Sequence, residues 1–387
     1  MSKPAMLQQA ESNQASLFLQ MGGQGSPWYK ELKKIYDSAT LSKFFDVTLS
    51  ALETEAPKVK GSIGLPHGID ARKWLDDESS IPSESYLSTA AVSLTMIQLT
   101  QLAYFEQVLQ SGWSITDLLK HTKGATGHSQ GLISMTFSAL GKTGNDYYDA
   151  LALYMKYILH LGVRAQEAHP DIEPTADDLA LANEVGLKDP APMVAVLGAD
   201  HNRIAQLVDA TNANLPNDKK IYISLYNSPV NRILSSFRSS LLTFYKEHKA
   251  TLDAEQIKFV FLRTSCPFHS PLMEGAVAPF ESDRKQLGFE FKASELQIPV
   301  YSFADGNDYR NLSDLCATMT RDLLVSTLHW QKALDPVKKL QPTHIVDFGP
   351  GKTSQRLTQD TLKEFGVEIP ILGMANGKEF KQFTDAQ

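Results

Sequence analysis

The apolar positions along the chain predict helices that alternate with short strands. Residues 85–111 are apolar almost all round the helical period, which predicts a buried helix. Over 146–168, apolar residues recur at steps of three and four, so we expect a helix with one buried face. A short strand at 17–19 runs into the glycine-rich turn MGGQGSPW, and WYKELKKIYDSATLSKFFDVTLSAL predicts a helix after it. This alternation is typical of an α/β fold.

The order of elements changes in the middle of the chain. Over about 192–265 the pattern reads strand, helix, hairpin, helix, strand, which is the β-α-β-β-α-β order of a ferredoxin-like unit. α/β elements resume afterwards in PVYSFADGN, DLCATMTRDLLVST and THIVDFGPG, so the unit looks inserted into a larger domain. Residues 52–80 are polar with scattered Pro and Gly, which predicts an irregular surface segment.

Composition and charge narrow the function classes. The chain has a net charge of −7 and no basic stripe with interleaved aromatic residues, which argues against nucleic-acid binding. A membrane span needs about 18 consecutive apolar residues, and no such run occurs. Two cysteines, Cys266 and Cys316, are too few for a disulfide framework or a metal cluster, and they favour a reducing, cytoplasmic setting. The polar N-terminus does not resemble a signal peptide, so we predict a flexible leader over 1–15.

Ser129 lies in the pentapeptide GHSQG, which has the pattern of a nucleophile elbow. In an elbow the serine occupies a sharp turn between a strand and a helix, where side chains on the flanking residues would clash. Gly127 and Gly131 satisfy that requirement. The helix that follows would direct backbone N–H groups and its positive end at a developing oxyanion. The motif alone leaves open a structural turn that happens to contain a serine.

A serine nucleophile needs a base, and His269 in SCPFHSPLM is the best candidate because it follows a predicted strand. His128 is adjacent to Ser129 in sequence, so in an elbow its side chain would point elsewhere and support the site indirectly. His344 lies inside an apolar strand and is discounted. The remaining candidates, which have no supporting context, are His121, His160 and His169.

Five motifs in one order carry a resemblance to a known family. GGQGS, GHSQG, YNSPVN, PFHSPLM and IVDFGPG resemble those of the acyl-CoA:acyl carrier protein transacylases, above all the acetyltransferase domain of the fungal-type and actinobacterial type I fatty acid synthase β region. The likeness covers roughly 15–375. It implies an α/β-hydrolase-like large domain (16–190 and 266–387) with an inserted ferredoxin-like small domain (191–265) and an active site in the cleft between them.

The resemblance assigns roles to individual residues. Ser129 matches the acylated nucleophile and His269 its base, in a dyad whose histidine is oriented by a backbone carbonyl, expected here from 302–304. The backbone N–H groups of Gln24 and Gln130 match the two donors of the oxyanion hole. Asn227, in YNSPVN, matches a small-domain residue that faces the acyl chain, although a plain Asn-Ser-Pro turn is the alternative. Ser236 departs from the family pattern, which usually has glycine there.

Leu161 bears on the choice of acyl group. Malonyl-transferring relatives place an arginine at the matching position, where it binds the free carboxylate as a bidentate pair. An apolar residue removes that partner, which favours acetyl or another simple acyl group over malonyl. Two alternatives stay open: Leu161 is simply core, or Arg164, one turn further along, reaches inward and binds the carboxylate instead.

The resemblance implies ping-pong acyl transfer in fatty acid or polyketide synthesis. The acyl group would pass from acyl-CoA to Ser129 and then to the phosphopantetheine thiol of an acyl carrier protein, without a bound cofactor or metal. Carrier proteins are generally acidic, so a local basic patch is expected, with Lys352, Arg356 and Arg232 as candidates. Other synthase domains are further expected partners. The alternatives are a malonyl-CoA:ACP transacylase, an acyl-thioester hydrolase with the same acyl-serine, and a non-catalytic scaffold.

Overall fold

The computed structural model describes residues 3–23 and 27–385. The first part of the chain contains two strands and a series of helices around the predicted elbow. These are α1 (Ala5–Glu11), β1 (Leu17–Met21), α2 (Tyr29–Asp37), α3 (Ser42–Val59), α4 (Ala71–Asp76), α5 (Glu84–Leu87), α6 (Ala90–Gln110), α7 (Ile115–Lys120), β2 (Thr122–Gly127), α8 (Gly131–Ala139), α9 (Gly144–Ala168) and α10 (Ala176–Val185).

The middle and last parts of the chain supply the remaining elements. The predicted inserted unit comprises β3 (Met193–Leu197), α11 (His201–Asn214), β4 (Tyr222–Ser228), β5 (Asn231–Ser235), α12 (Arg238–Ala254) and β6 (Lys258–Phe261). After it come α13 (Glu274–Leu287), α14 (Leu315–Leu324), β7 (Leu328–His329), α15 (Trp330–Leu340), β8 (His344–Asp347), α16 (Thr353–Glu364), β9 (Ile371–Gly373) and α17 (Gly377–Thr384).

A parallel four-stranded sheet lies at the centre of the larger part, in the order β2-β1-β8-β9. Every residue of β1 is buried, as expected of a parallel strand covered by helices on both faces. Leu19 pairs with Ala125 on one side and with Val346 on the other. The carboxyl ends of β1, β2 and β8 therefore meet at one edge, where the glycine-rich turn, the GHSQG motif and the FGPG end of the IVDFGPG motif begin.

The second sheet has the order β6-β3-β5-β4-β7. Its first four strands and two helices follow the βαββαβ order predicted from the sequence, and neighbouring strands among them are antiparallel. The fifth strand, β7, comes from later in the chain and pairs parallel to β4. The predicted α/β fold with an inserted ferredoxin-like unit is confirmed, while the domain bounds at 190 and 266 stay predictions.

Two predicted helices form the centre of the helical layer. All but a few residues of α6 are buried, as its apolar composition predicts. The periodic face of α9 packs against it, and the two backbones approach closely at Gly162, where a Cβ would lie 2.5 Å from the Cα of Ala91. Within the described residues, no helix is both long and apolar enough to cross a membrane.

The predicted flexible leader is wrong over the described part of 1–15. Helix α1 forms there because Met6, Leu7 and Ala10 lie on one face and are buried. It packs against α17 at the other end of the chain, and the backbone N–H of Ala5 donates to the carbonyl of Asp385 at 3.0 Å. Burial of three apolar side chains thus orders a segment whose sequence is mostly polar.

Two other predicted segments differ from the structure. Residues 52–80 are not wholly irregular, because α3 continues to Val59 and α4 buries Trp74 and Leu75. PVYSFADGN, where α/β elements were expected to resume, contributes to sheet pairing only through isolated bridges at Val300 and Tyr301. A single residue on each side is too short a pairing to count as a strand.

Candidate active site

Ser129 occupies the turn between β2 and α8 with a left-handed backbone, φ +53°. A Cβ on Gly127 would lie 2.1 Å from the carbonyl carbon of Gly131 and the amide nitrogen of Leu132. A Cβ on Gly131 would lie 2.4 Å from the carbonyl oxygens of Met21 and Gly22. Both glycines are therefore required by backbone contacts, and the strained serine conformation is that of an elbow.

Ser129 and His269 meet although they lie far apart in the sequence. The serine Oγ is 2.8 Å from the imidazole Nε2, and the histidine is only 1 % exposed. His269 lies in the loop before α13 and also has a left-handed backbone, φ +57°. Burial lowers the pKa of His269 to about 4, so the imidazole is neutral near pH 7 and can accept a proton.

The other imidazole nitrogen of His269 faces a backbone carbonyl, as predicted, but the carbonyl belongs to Ser326 and not to residues 302–304. Nδ1 lies 3.0 Å from that oxygen. Because a carbonyl only accepts, Nδ1 carries the hydrogen and Nε2 presents its lone pair to Ser129. The three predicted carbonyls are occupied: they accept from Gly306 N, His329 N and Lys332 Nζ.

Residues 302–304 still contact the dyad, through a side chain. The ring of Phe303 packs edge-on against His269, with centroids 5.3 Å apart. Ser302 donates to the buried carboxylate of Asp322 at 2.8 Å, which also accepts from Tyr309. This loop therefore excludes water from one side of the imidazole and does not orient its nitrogen.

The predicted oxyanion donors are only partly described. Gln130 is the N-cap of α8, and its backbone N–H has no acceptor among the described residues. The first N–H groups of a helix have no partner within the helix, so this one is free to bind a ligand oxygen. Gln24 lies outside the described residues. The preceding turn is held in place: Gly22 N donates to the carbonyl of Gly349 at 2.9 Å, and Gln101 Nε2 donates to the carbonyls of Gly22 at 2.6 Å and Gly349 at 3.1 Å.

The IVDFGPG motif explains why Gly349 is available to that turn. Asp347 is fully buried at the end of β8 and accepts from the backbone N–H of Gly349 at 2.8 Å and from Gln20 Nε2 at 2.5 Å. Burial raises the pKa of Asp347. The carboxylate thus fixes the GPG turn, and the Gly349 carbonyl of that turn accepts the hydrogen bond from Gly22.

A buried polar network beneath the elbow was missed in the sequence. Ser134 Oγ lies 2.8 Å from Gln101 Oε1 and 3.1 Å from Gln98 Oε1, and Tyr154 hydrogen-bonds to Gln98. Gln98 Nε2 also approaches Gln130 Oε1 at 3.4 Å. The sequence does contain a signal for this network, because these polar residues lie inside helices that are otherwise apolar. The network ties α6, α8 and α9 together directly below Ser129.

His128 and Asn227 connect the two sheets at the site. The histidine Nε2 donates to the amide oxygen of Asn227, on β4, at 2.8 Å. The imidazole also packs against the ring of Trp330, with centroids 5.2 Å apart. Burial lowers the pKa of His128 to about 4, so it acts as a neutral donor. The indirect role predicted for His128 fits this contact, while a contact of Asn227 with an acyl chain stays a prediction.

Leu161 and Arg164 lie on α9 in different surroundings. Leu161 is fully buried. The guanidinium of Arg164 pairs with Asp283 on α13, with Nε 2.6 Å from Oδ2 and Nη2 2.9 Å from Oδ1, and with Glu167 at 2.7 Å. Its charge is therefore already neutralised by two carboxylates. Among the described residues, no three His, Cys, Asp or Glu side chains come together as a metal site.

Comparison with known proteins places the chain in a family. Residues 19–269 match the family described as "Starter unit:ACP transacylase in aflatoxin biosynthesis". The chain belongs to this transacylase family. The match agrees with the resemblance drawn from the five motifs and with the predicted acyltransferase class.

Curated relatives include two fungal proteins. The chain is 29 % identical to the fatty acid synthase subunit beta of Saccharomyces cerevisiae over 402 residues, which covers 96 % of the chain and 19 % of that protein. It is also 29 % identical to the corresponding subunit of Schizosaccharomyces pombe, over 90 % of the chain and 17 % of that protein. The chain thus spans less than a fifth of these relatives.

Solved structures share the fold. A malonyl-CoA:acyl carrier protein transacylase from Xanthomonas oryzae pv. oryzae superposes with a TM-score of 0.68 at 18 % identity, covering 96 % of this chain and 98 % of that one. A malonyl CoA-acyl carrier protein transacylase from Clostridium perfringens gives 0.67 at 17 % identity, covering 95 % and 96 %. At such identities the likeness shows the two-part α/β fold alone.

Proposed function

We propose that the protein transfers a simple acyl group, acetyl or another starter without a free carboxylate, from CoA to the phosphopantetheine thiol of an acyl carrier protein. The observation that carries the proposal is the 2.8 Å contact between Ser129 Oγ and His269 Nε2 at a strained elbow. A serine hydroxyl becomes a useful nucleophile when an adjacent base takes its proton.

In the first half-reaction, His269 Nε2 takes the Ser129 proton as Oγ attacks the thioester carbonyl. The carbonyl oxygen becomes an oxyanion, which accepts hydrogen bonds from the backbone N–H of Gln130 and, by family likeness, of Gln24. One such donor contributes about 3 kcal/mol in the transition state. The intermediate then expels the CoA sulfur, which receives the proton from His269, and the acyl-serine remains.

In the second half-reaction, the carrier thiol gives its proton to His269 and attacks the acyl-serine carbonyl. The same oxyanion forms and collapses, and Ser129 Oγ leaves with the proton from His269. The proton and the acyl group balance between the two half-reactions with the dyad alone. Acyl-CoA and the phosphopantetheine arm are therefore substrates, and no resident cofactor or metal enters the proposal.

Two residues support a simple acyl group over malonyl. Leu161, at the position matched to the malonyl-binding arginine, has no charge to offer, and Arg164 is paired with Asp283 and Glu167. A malonyl carboxylate would lose its hydration without gaining a free cation at either position. That desolvation costs about 3 kcal/mol or more, which lowers the acylation rate by about 10²-fold or more.

The proposed setting is fatty acid or polyketide synthesis. The relatives are named as fatty acid synthase β subunits and the family as starter-unit transacylases. Other synthase domains are therefore proposed partners, together with an acyl carrier protein. A cytoplasmic location rests on the two cysteines, whose thiols are both buried and unpaired.

Intact-mass spectrometry after brief incubation with acetyl-, butyryl-, hexanoyl- and malonyl-CoA tests the proposal. We expect one acyl adduct from a simple acyl-CoA, none from malonyl-CoA, and none in Ser129→Ala. A malonyl adduct would contradict the selectivity. CoA release without an adduct or a carrier would indicate a hydrolase, and neither release nor adduct would indicate a scaffold.

A further inference from the structure

A cavity of about 290 Å³ lies between the small sheet and the helices α15 and α16. The β4–β5 hairpin forms one wall, and His329, Gln331 and Lys332 form another. Its polar lining includes two cations, Arg232 and Lys332, and one carboxylate, Glu364. The cavity therefore has a positive balance in a protein whose net charge is −7.

Arg232 is buried without an anionic partner. It is 7 % exposed, and no carboxylate oxygen of the described residues lies within ion-pair distance. Nη1 donates to the backbone carbonyls of Ser228 and Asn231, and Nε has no acceptor in the described part of the chain. The guanidinium lies 4.8 Å from the ring centroid of Tyr226. A buried guanidinium left unpaired is costly, which is typical of a site that receives its anion from a ligand.

Two carboxylates, Glu364 and Asp200, attract the Arg232 guanidinium, but neither forms an ion pair with it. Lys332 is exposed, and among the described residues its Nζ donates only to the carbonyl of Ala304, at 3.3 Å. His329 stacks on Tyr226, and burial together with Lys332, Arg232 and His201 lowers its pKa to about 4. His329 is therefore neutral near pH 7, a hydrogen-bonding group beside two cations.

The cavity is separated from the dyad by one layer of side chains. Asn227 lines the cavity and also contacts His128, the neighbour of Ser129. On the other side, the backbone N–H of His329 donates at 2.8 Å to the carbonyl of Phe303, whose ring packs against His269. The cavity and the dyad are thus neighbours on two sides, and a substrate arm that occupies both must pass along this layer.

We propose that Arg232 and Lys332 bind the phosphate ester of the phosphopantetheine arm. The inference rests on the proposed function and deepens it. Acyl-CoA and the carrier protein share this phosphate, so one anion site would serve both half-reactions. Arg232 supplies donors in a planar fork that matches phosphate oxygens, and Lys332 supplies a point charge at the opening. Glu364 lies on the same lining, and its negative charge would repel an extended acidic surface. The two cations therefore suit a single anion.

Three acetyl thioesters that differ in phosphate content test the proposal: acetyl-CoA, acetyl-phosphopantetheine and acetyl-pantetheine. The readout is kcat/KM for acylation of Ser129. For Arg232→Met, we expect the preference for acetyl-phosphopantetheine over acetyl-pantetheine to fall about tenfold to a hundredfold. Arg232→Lys should restore part of that preference.

Lys332→Gln provides a second variant that does not threaten folding, because the side chain is exposed. We expect a smaller loss of the same preference, about threefold to tenfold. Lys339→Gln is the matched control, since Lys339 is exposed on the same helix but does not line the cavity. It should leave the preference unchanged.

The outcomes separate the possible sources of the phosphate. Equal losses with all three thioesters would overturn the proposal, because they would assign Arg232 a structural role. A loss confined to acetyl-CoA would also overturn it, since the site would then recognise the nucleotide. In the second half-reaction, Arg232→Met should slow transfer to the holo carrier protein more than transfer to free pantetheine.

A binding measurement keeps this proposal distinct from the proposed reaction. In Ser129→Ala, CoA should raise the melting temperature more than pantetheine does, and Arg232→Met in that background should remove the difference. If the wild-type chain forms no acyl-serine but this difference in melting temperature appears, the proposed acyl transfer is refuted and the phosphate site is supported. If acyl-serine forms but CoA and pantetheine stabilise equally, the phosphate site fails alone.

Discussion

The imidazole Nδ1 of His269 lies 3.0 Å from the backbone carbonyl oxygen of Ser326. The carbonyl selects the tautomer in which Nε2 is free to take the Ser129 proton. It carries no formal charge, so the imidazolium formed in the reaction has a weaker partner than an aspartate would provide. The low pKa of His269 follows from burial without that compensation.

Because the partner is a backbone atom, the two residues should respond differently to substitution. We expect His269→Ala to reduce the rate of Ser129 acylation by about 10²- to 10⁴-fold. Ser326→Ala keeps the carbonyl, so its rate should stay within about threefold of the wild type. Rapid-quench mass spectrometry measures both rates. A loss in Ser326→Ala as large as that in His269→Ala would show that the Ser326 side chain orients the base.

The burial of His269 predicts an unusual pH profile. The base must be neutral to accept a proton, and its pKa is lowered from 6.5 to about 4. We therefore expect kcat/KM for acylation to stay flat as pH falls toward about pH 5 and to decline below that. Circular dichroism at each pH separates this decline from acid unfolding. A decline centred near 6.5, the ordinary histidine value, would contradict the buried geometry.

The glycine after the elbow should tolerate no side chain. In Gly131→Ala, the new Cβ would meet the carbonyl oxygens of Met21 and Gly22 at 2.4 Å, so the turn and β1 must move apart. A displacement of about 1 Å at the nucleophile lowers the acylation rate by about 10²-fold. Gly377→Ala is the control, because among the described residues no atom outside its own helix and chain neighbours lies within 4 Å of the added Cβ. Equal activity in the two variants would refute the steric argument.

Arg164 should contribute to stability and not to acyl selectivity. Arg164→Ala removes a pair of hydrogen bonds to Asp283, and we expect a loss of about 1 to 2 kcal/mol in the free energy of unfolding, moderated by partial exposure. Urea denaturation measures the loss. Arg203→Ala, which breaks a similar fork with the exposed Glu255, should cost less. A change in the ratio of malonyl to acetyl adducts in Arg164→Ala would return Arg164 to the acyl site.

Local patterns in the sequence predict most of the fold, and they fail where long-range contacts decide. The βαββαβ order and the buried helix α6 follow from periodicity within each segment. The order of α1 depends instead on α17, which lies at the opposite end of the chain. PVYSFADGN has the composition of a strand but pairs only through isolated bridges.

The same distinction applies to the site. Ser129 and His269 lie in motifs that mark them, and the structure brings them together. The Ser326 carbonyl could not be singled out, because every residue carries a carbonyl and only the fold selects one. Gln98 and Gln101 were accessible in principle, as polar residues in an apolar helix. Arg232 was a candidate for a surface patch, and its burial could not be foreseen from the sequence.

Strand β7 has a consequence for protein engineering. Leu328 and His329 complete the small sheet beside β4, although they lie well after the inserted unit in the sequence. A chimera that exchanges only 191–265 between relatives would pair the new β4 with a β7 from the other protein. A poor match there would leave the edge of β4 open and these two residues without a partner strand. The unit that can be exchanged between relatives therefore consists of two separate segments, 191–265 and the segment around 328–329. Chimeras that exchange both segments should yield soluble protein more often than those that exchange only the first.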